Sequence, residues 1–569
     1  MSLVDWIVLV GALAGMVSYG MWRGRKAASL DGYLLAGRDM RWGTVCLSIM
    51  ATQASAITFL STPGQAYADG MRFVQFYFGL PLAMVVLSVT AVPIFHRLKV
   101  YTAYEYLERR FDRKTRTLAA GLFLIQRGLA CGLTIYAPAL ILSVLLGWSL
   151  PWTIVAIGTL VVSYTATGGT RAVNHTNSLQ MVIVLSGILA VLVATVSRMP
   201  SGVSFGDAVW LAGTMGKLNA IDTSFDWNNR YNLWSGLIGG FFLALSYFGT
   251  DQSQVARYLS GQSVTQSRLG LLANGLVKVP MQFVILFTGA MVFVFYLFAT
   301  PPVFFNSVAV NTVKNSPQAA EFAAAEKDFQ AAHDDRREAL ESLADLRIAP
   351  ATQPMLADTK ADLMGRVHAA DEAATEARTR AVTAIQAADP KVAPRDVNYV
   401  FLTFVLKNLP IGMIGLVLAC VFAAAMSSTA GELNSLASTS VVDFYKRSFR
   451  PEAGDRELLT VSRVSTVIWG AFAVLFAEFA GKMGSLVEAV NILGSLFYGT
   501  ILGIFLLAFY VKRVGGTAVF MGALIGEAVV VGFFSFSTIS FLWYNVIGCL
   551  ATMGAAWLLS LRRAAPRNA

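Results

Sequence analysis

The sequence predicts an all-α integral membrane protein, and three observations carry the prediction. Of the 569 residues 56% are hydrophobic and only 14% are charged, with a mean hydropathy of +0.59, whereas charged residues approach about 25% in a soluble domain. Uncharged runs such as Ala137 to Thr170 and Leu179 to Val196 are each long enough to cross a hydrocarbon core of about 30 Å. Basic residues gather in short loops between such runs, on alternate sides, as the positive-inside rule requires. Together these exclude a soluble globular enzyme, a disordered chain and a barrel of alternating strands. The net charge of +10 therefore reports orientation in the lipid bilayer, not a nucleic-acid partner. Cys46, Cys131, Cys420 and Cys549 lie singly in apolar runs without metal or disulfide spacing and read as packing residues.

A window of about 19 residues gives thirteen spans, near 3–21, 42–64, 73–96, 117–146, 150–168, 176–197, 231–252, 269–299, 398–428, 459–480, 485–510, 517–536 and 541–561. The first is long and is followed by Arg23, Arg25 and Lys26, so it reads as a retained span rather than a cleaved signal. Further basic clusters fall at Arg97 to Arg116, Arg171, Arg257/Arg268, Lys446 to Arg456, Lys512/Arg513 and Arg562/Arg563. That alternation puts the N-terminus outside and the C-terminus in the cytoplasm of a cell's plasma (inner) membrane.

Residues 300–397 break the pattern, being rich in Ala, Glu, Asp and Arg. Ala319 to Leu346 and Met355 to Ala387 read as two helices separated by Ala349-Pro350 and Gln353-Pro354, an antiparallel hairpin on the outer face. It is either a solvated insertion or a surface for a protein partner. Its histidines, His333 and His368, have no triad around them, so a catalytic domain is not indicated, and no organic cofactor is expected.

Inside a membrane, irregular backbone is tolerated only where it lines a cavity, so polar residues in mid-span mark broken helices. The second span holds Ala51-Thr-Gln-Ala-Ser-Ala-Ile-Thr58, four polar side chains in eight residues. A break there frees carbonyls for a cation; small-residue helix packing is the alternative. In the ninth span Ala424, Ser427 and Ser428 share one helical face. Carbonyls from Ala51, Ala54 and Ala424 with the hydroxyls of Ser427 and Ser428 would cage a sodium ion without a formal charge. Otherwise the serines bond back to carbonyls one turn earlier.

Several motifs, in order along nearly the whole chain outside the insertion, resemble the sodium/solute symporter family. They are Asp31-Gly-Tyr-Leu-Leu-Ala-Gly-Arg-Asp-Met-Arg-Trp42, Tyr101-Thr-Ala-Tyr-Glu-Tyr-Leu-Glu-Arg-Arg-Phe111, Gly168-Gly-Thr-Arg-Ala-Val173 and Ala424-Ala-Met-Ser-Ser428 with Leu433-Asn-Ser-Leu436. Ser55-Ala-Ile-Thr-Phe-Leu-Ser-Thr-Pro63 and Ile135-Tyr-Ala-Pro-Ala-Leu-Ile-Leu142 look like the branch of monocarboxylate, multivitamin and iodide symporters. The resemblance implies a leucine-transporter-type core of two inverted five-helix repeats. The domains are then a first helix and linker (1–41), a first repeat (42–198), an outer loop (199–230), a second repeat (231–510) interrupted by 300–397, and two added helices with a tail (511–569). The family's general sodium site maps onto Ala51, Ala54, Ala424, Ser427 and Ser428, the same cage that the spacing suggested.

The chain departs from the family in places. Members with a second sodium site have an aspartate where this chain has Asn177, and hydroxyls where it has Ala430 and Gly431, which argues for a single sodium. Glu432, one turn beyond Ser428, either replaces that aspartate in coupling or reaches cytoplasmic water or a nearby arginine. By position in the family Gln53, Thr58, Gln75, Tyr77, Gly128, Ala244, Tyr247 and Phe248 lie near the solute cavity, and Ala244 removes an amide that sugar carriers use.

Two cations sit deep in spans, Arg127 and Lys278, and such groups are functional candidates by default. Arg127 can grip a carboxylate with two parallel hydrogen bonds, or pair structurally with a carboxylate such as Glu488. Lys278 matches a lysine common in the family and reads as structural or a sodium-site neighbour. The expectation is a non-enzymatic, sodium-coupled symporter that imports a small polar solute, such as a monocarboxylate, by alternating access. The alternatives are a sugar or other neutral solute, proton coupling through Glu432 or Glu488, and a membrane-anchored sensor acting through the hairpin.

Overall fold

The computed structural model describes residues 1–24, 36–200, 203–348 and 355–563. Asp31 to Leu35 of the first family motif, Arg25 and Lys26, and the Ala349-Pro350 and Gln353-Pro354 hinge lie outside the described residues. Among those described, helices dominate and β-structure is limited to an isolated bridge between Met40 and Gly261. By length and composition nine helical stretches among them can cross a membrane, and shorter apolar helices at Leu3–Met16, Leu150–Ser163 and Ser235–Gly249 fall on three further expected spans.

After α1 (Leu3–Gly24) the second span is broken as expected, into α2 (Trp42–Gln53) and α3 (Ala56–Asp69). The cause is local. Ala54 takes ψ 73, outside the helical range. The Ser55 N–H then bonds Gln53 O at 3.0 Å and the Thr58 N–H bonds Ser55 O at 2.9 Å, which removes from the Ala51 and Ala54 carbonyls their helical partners. The third span bends at Thr90 between α4 (Leu80–Val89) and α5 (Ala91–Leu98), where Pro93 withholds its N–H and Thr90 Oγ1 bonds Val86 O at 2.7 Å.

After α6 (Tyr104–Arg110) and α7 (Arg113–Leu146), the spans expected at 150–168 and 176–197 form one helical run, α8 (Leu150–Ser197), rather than two helices with a basic loop between them. α9 (Phe205–Thr214) opens with a reciprocal cap between Ser204 and Asp207.

The seventh span carries a break that the hydropathy pattern does not reveal. Helix over Ser235–Gly249 (α10) stops at Thr250, and α11 (Gln252–Leu259) restarts with the Asp251 carboxylate accepting from the Ser253 N–H. Each repeat therefore opens with a discontinuous helix, the arrangement that places ion and solute sites at the bilayer midplane in inverted-repeat transporters. α12 (Val264–Phe298) is followed by α13 (Ser307–Lys314).

The insertion forms the expected hairpin, α14 (Ala319–Ile348) against α15 (Met355–Ala388). It is docked, not free-standing. Phe322, Phe329, Ala377 and Ala381 pack with Phe304 and Val313, while Leu340, Leu343 and Val367 pack with Leu211, Met291 and Val294. His333 Nε2 also meets Tyr296 O at 2.9 Å.

α16 (Val397–Asn408) lies so close to α3 that a side chain on Gly64 would stand 1.9 Å from Val397 O. The remaining helices are α17 (Met413–Thr439, with a wider-wound continuation to Phe449), α18 (Asp455–Ala480), α19 (Leu486–Tyr510), α20 (Gly516–Phe536) and α21 (Phe541–Arg563). Basic loops expected on one side do meet. Arg447 and Arg116 both bond Glu108, and Arg110 bonds Val511 O at 2.8 Å. The four cysteines are free and buried.

Candidate functional site

The two halves of the expected sodium cage face each other across α2 and α17. Ser427 Oγ lies 3.3 Å from Ala51 O and donates to Asn177 Oδ1 at 2.7 Å. Ala54, Ala424 and Ser428 are buried beside them. Ser428 behaves differently from Ser427: its hydroxyl turns back to Ala424 O at 2.9 Å, as serine does in a helix interior. Asn177 therefore sits against the cage, and its Nδ2 has no hydrogen-bond partner among the described residues. At Gly431 a Cβ would come within 2.8 Å of Nη2 at the far end of the Arg257 side chain.

Next to the cage lies a cavity of about 120 Å³, bordered by Thr52, Gln53, Thr58, Tyr77, Tyr247 and Phe248 among others. Gln53 reaches Asn274 at 3.4 Å, and Tyr247 Oη accepts from Gln254 at 2.7 Å. Gln75, expected here, is elsewhere. Its amide is spent on backbone, donating to Tyr231 O at 2.9 Å and accepting from the Asp222 N–H at 3.0 Å, so it fastens the segment before α10.

Arg127 reaches the cavity with its charge already met. Nη1 donates to Glu432 Oε1 at 3.1 Å, and Nη2 donates to Asp251 and, at 2.5 Å, to Tyr498 Oη. Its partners are thus Asp251 and Glu432, not Glu488, which is held by Arg230 at 2.6 Å. Glu432 does not replace the missing aspartate beside Asn177. Its second oxygen accepts from Thr134 at 2.8 Å, so both are committed on the cavity side.

Lys278 is the contrasting cation. It is buried, borders the cavity and stands 5.7 Å from the Tyr77 ring centroid, with no carboxylate in ion-pair range among the described residues. Sequence reasoning passed over Asp251 and Tyr498. The signal for Asp251 was available in Gly249-Thr-Asp-Gln-Ser253, where a capping residue follows a glycine in mid-span.

Comparison with known proteins agrees with this geometry. The model of the sodium:solute symporter family matches residues 33–326 and 379–526. The human sodium-coupled monocarboxylate transporter 1 is 27% identical over 92% of this chain and 72% of its own. The human sodium/iodide cotransporter is 26% identical over 91% and 68%, and a putative sodium-dependent multivitamin transporter of Drosophila melanogaster 24% identical over 98% and 86%. A solved sodium-coupled sialic acid symporter, in a substrate-bound outward-open state, superposes with a TM-score of 0.75 at 21% identity, covering 99% of this chain and 98% of that one. The same inverted-repeat membrane fold is therefore present here. With that fold and a family match on both sides of the hairpin, the chain belongs to the sodium:solute symporter family, and it is a sodium-coupled membrane transporter of a small solute, not an enzyme.

Proposed function

We propose that this symporter imports a small organic anion of the monocarboxylate class with one sodium ion, by alternating access. The observation that carries this reading is Lys278, a buried lysine on the cavity with no carboxylate in ion-pair range among the described residues. Its ammonium form is costly there without a counter-ion, and a bound carboxylate both favours that form and is held by it. Sodium is held by Ala51, Ala54, Ala424, Ser427 and Ser428, with Asn177 as a neutral neighbour in place of a second, acidic site. Gln53, Thr58, Tyr77, Tyr247 and Phe248 shape the solute cavity. The chain lies in the plasma membrane with the N-terminus and hairpin outside and the C-terminus inside, and the outer hairpin is an accessory to transport.

The test is uptake into proteoliposomes of labelled acetate, lactate, pyruvate, glucose and an amino acid, with sodium or choline outside. Accumulation of a monocarboxylate that depends on sodium supports the reading. Sodium-dependent uptake of glucose alone, or uptake driven by a pH gradient without sodium, overturns it.

A further inference from the structure

The ionic cluster around Arg127 is more extensive than a solute-binding site needs. Besides its bonds to Glu432, Asp251 and Tyr498, the cluster is closed by Tyr498 Oη donating to Asp251 Oδ2 at 2.9 Å. The other Asp251 oxygen caps α11, accepting from the Ser253 N–H at 2.8 Å and the Ser253 hydroxyl at 2.6 Å. The guanidinium also stands 5.4 Å from the Tyr247 ring centroid. One buried side chain on α7 thus joins three other elements: the break between α10 and α11, the helix that carries Ser427 and Ser428, and α19. Three of its contacts, Tyr247, Tyr498 and Glu432, border the cavity. Glu432 stands on α17 one helical turn from Ser428 and bonds Arg127, so any displacement of α17 at the serines would reach Arg127 through Glu432.

We infer that Arg127 is a positioning residue that couples the sodium cage to the solute cavity, linking Glu432 on the sodium-binding helix to Asp251 at the break in the second repeat, and is not the receptor for the solute's carboxylate. The inference rests on the sodium reading of the cage and is independent of which solute is carried. An arginine suits the task because its planar fork can serve several acceptors in fixed directions, which a lysine cannot. Coupling of this kind requires an element whose arrangement both sites bias, and under this inference that part falls to the α10–α11 break, where Asp251 caps α11.

The test uses sodium alone as the ligand. Cys131, one turn from Arg127 on the same helix and fully buried, reports opening of the cluster through its rate of alkylation by N-ethylmaleimide in full-length protein with Cys46, Cys420 and Cys549 replaced by alanine. Thermal stabilisation by sodium over choline is measured in parallel. The expected result is that sodium changes the Cys131 rate by about fivefold or more, the scale of typical allosteric coupling, when Glu432 is present. In Glu432→Gln sodium still stabilises the protein but the Cys131 rate no longer responds. Arg127→Lys, which keeps the charge and loses the fork, should behave in the same way and serves if Glu432→Gln does not fold. An undiminished sodium response in either variant overturns the inference, as does a parent protein that sodium stabilises without any change at Cys131. A parent that sodium does not stabilise at all shows instead that the cage reading has failed, and the coupling role falls with it.

Discussion

Ser427 Oγ and the Ala51 carbonyl, separated by 376 positions in the chain, stand 3.3 Å apart, so the proposed sodium cage is completed only when α2 meets α17. The neighbouring Ser428 hydroxyl is engaged within its own helix. The two serines are therefore unequal. Ser427→Ala should raise the sodium concentration for half-maximal uptake about tenfold, equivalent to about 1.4 kcal/mol, whereas Ser428→Ala should raise it less, because its oxygen must first leave Ala424 O. Sodium titrations of uptake in the two variants check the order, and equal effects would refute it.

Lys278→Met should raise the KM for the transported anion about ten- to hundredfold, the value of a charge-assisted hydrogen bond of roughly 1.5–3 kcal/mol, with little change in sodium affinity. Lys278→Arg should fall between the two. A KM unchanged in Lys278→Met would remove the anion assignment.

The ionic cluster of Glu108, Arg116 and Arg447 predicts a pH response. Partial burial pushes the Glu108 carboxyl up, but hydrogen bonds and charge from Arg447 and Arg116 outweigh it and hold the group below its ordinary value. A carboxylate depressed in this way contributes stability above the unfolded-state pKa, and that contribution disappears as pH falls through the folded-state value. Thermal melts between pH 3 and 7 should show stability lost on the acidic side of about 4.3, with the slope reduced in Glu108→Gln.

The hairpin should be separable from transport. Phe322 is buried between α14, α15 and α13, and Phe322→Ala should cost roughly 3–5 kcal/mol of local stability. The measurement is limited proteolysis, which should cut within 319–388 in the variant while sodium-dependent uptake persists. Replacing residues 319–388 by a short linker should lower the melting temperature, since Leu211, Met291 and Val294 lose their cover, and still leave uptake measurable.

Much of the fold was legible because membrane burial imposes a coarse rule: long apolar runs become helices. The first helix break was legible too, since Thr52, Gln53 and Ser55 place polar groups where lipid-facing helix does not tolerate them. The second break was hidden by its apolar flank over Gly240–Gly249, which fits an unbroken span equally well. Gln75 shows the limit of positional analogy, for its neighbour Tyr77 borders the cavity while its own amide secures a loop. Arg127 shows another. Depth in a span marked it as important, but which carboxylates meet it depends on the helices around Asp251 and Glu432, 124 and 305 positions away, and periodicity carries no such information. The hairpin's helices were clear from composition, whereas its docking depended on apolar residues of α9 and α12 that read as ordinary span and loop.

The pairing at the cavity has an electrical consequence. Asp251 and Glu432 both pair with Arg127 and Lys278 pairs with neither, yet the formal charges of the four sum to zero, and the proposed sodium ligands, with Asn177 beside them, carry no formal charge. Under the proposed function the empty carrier would return across the membrane with no net charge from these groups, and one sodium travelling with one monoanion would add none. A field that does about 2.3 kcal/mol of work per elementary charge per 100 mV finds nothing to pull on, so the concentration ratio of sodium, not the voltage, would set how steeply the solute is accumulated.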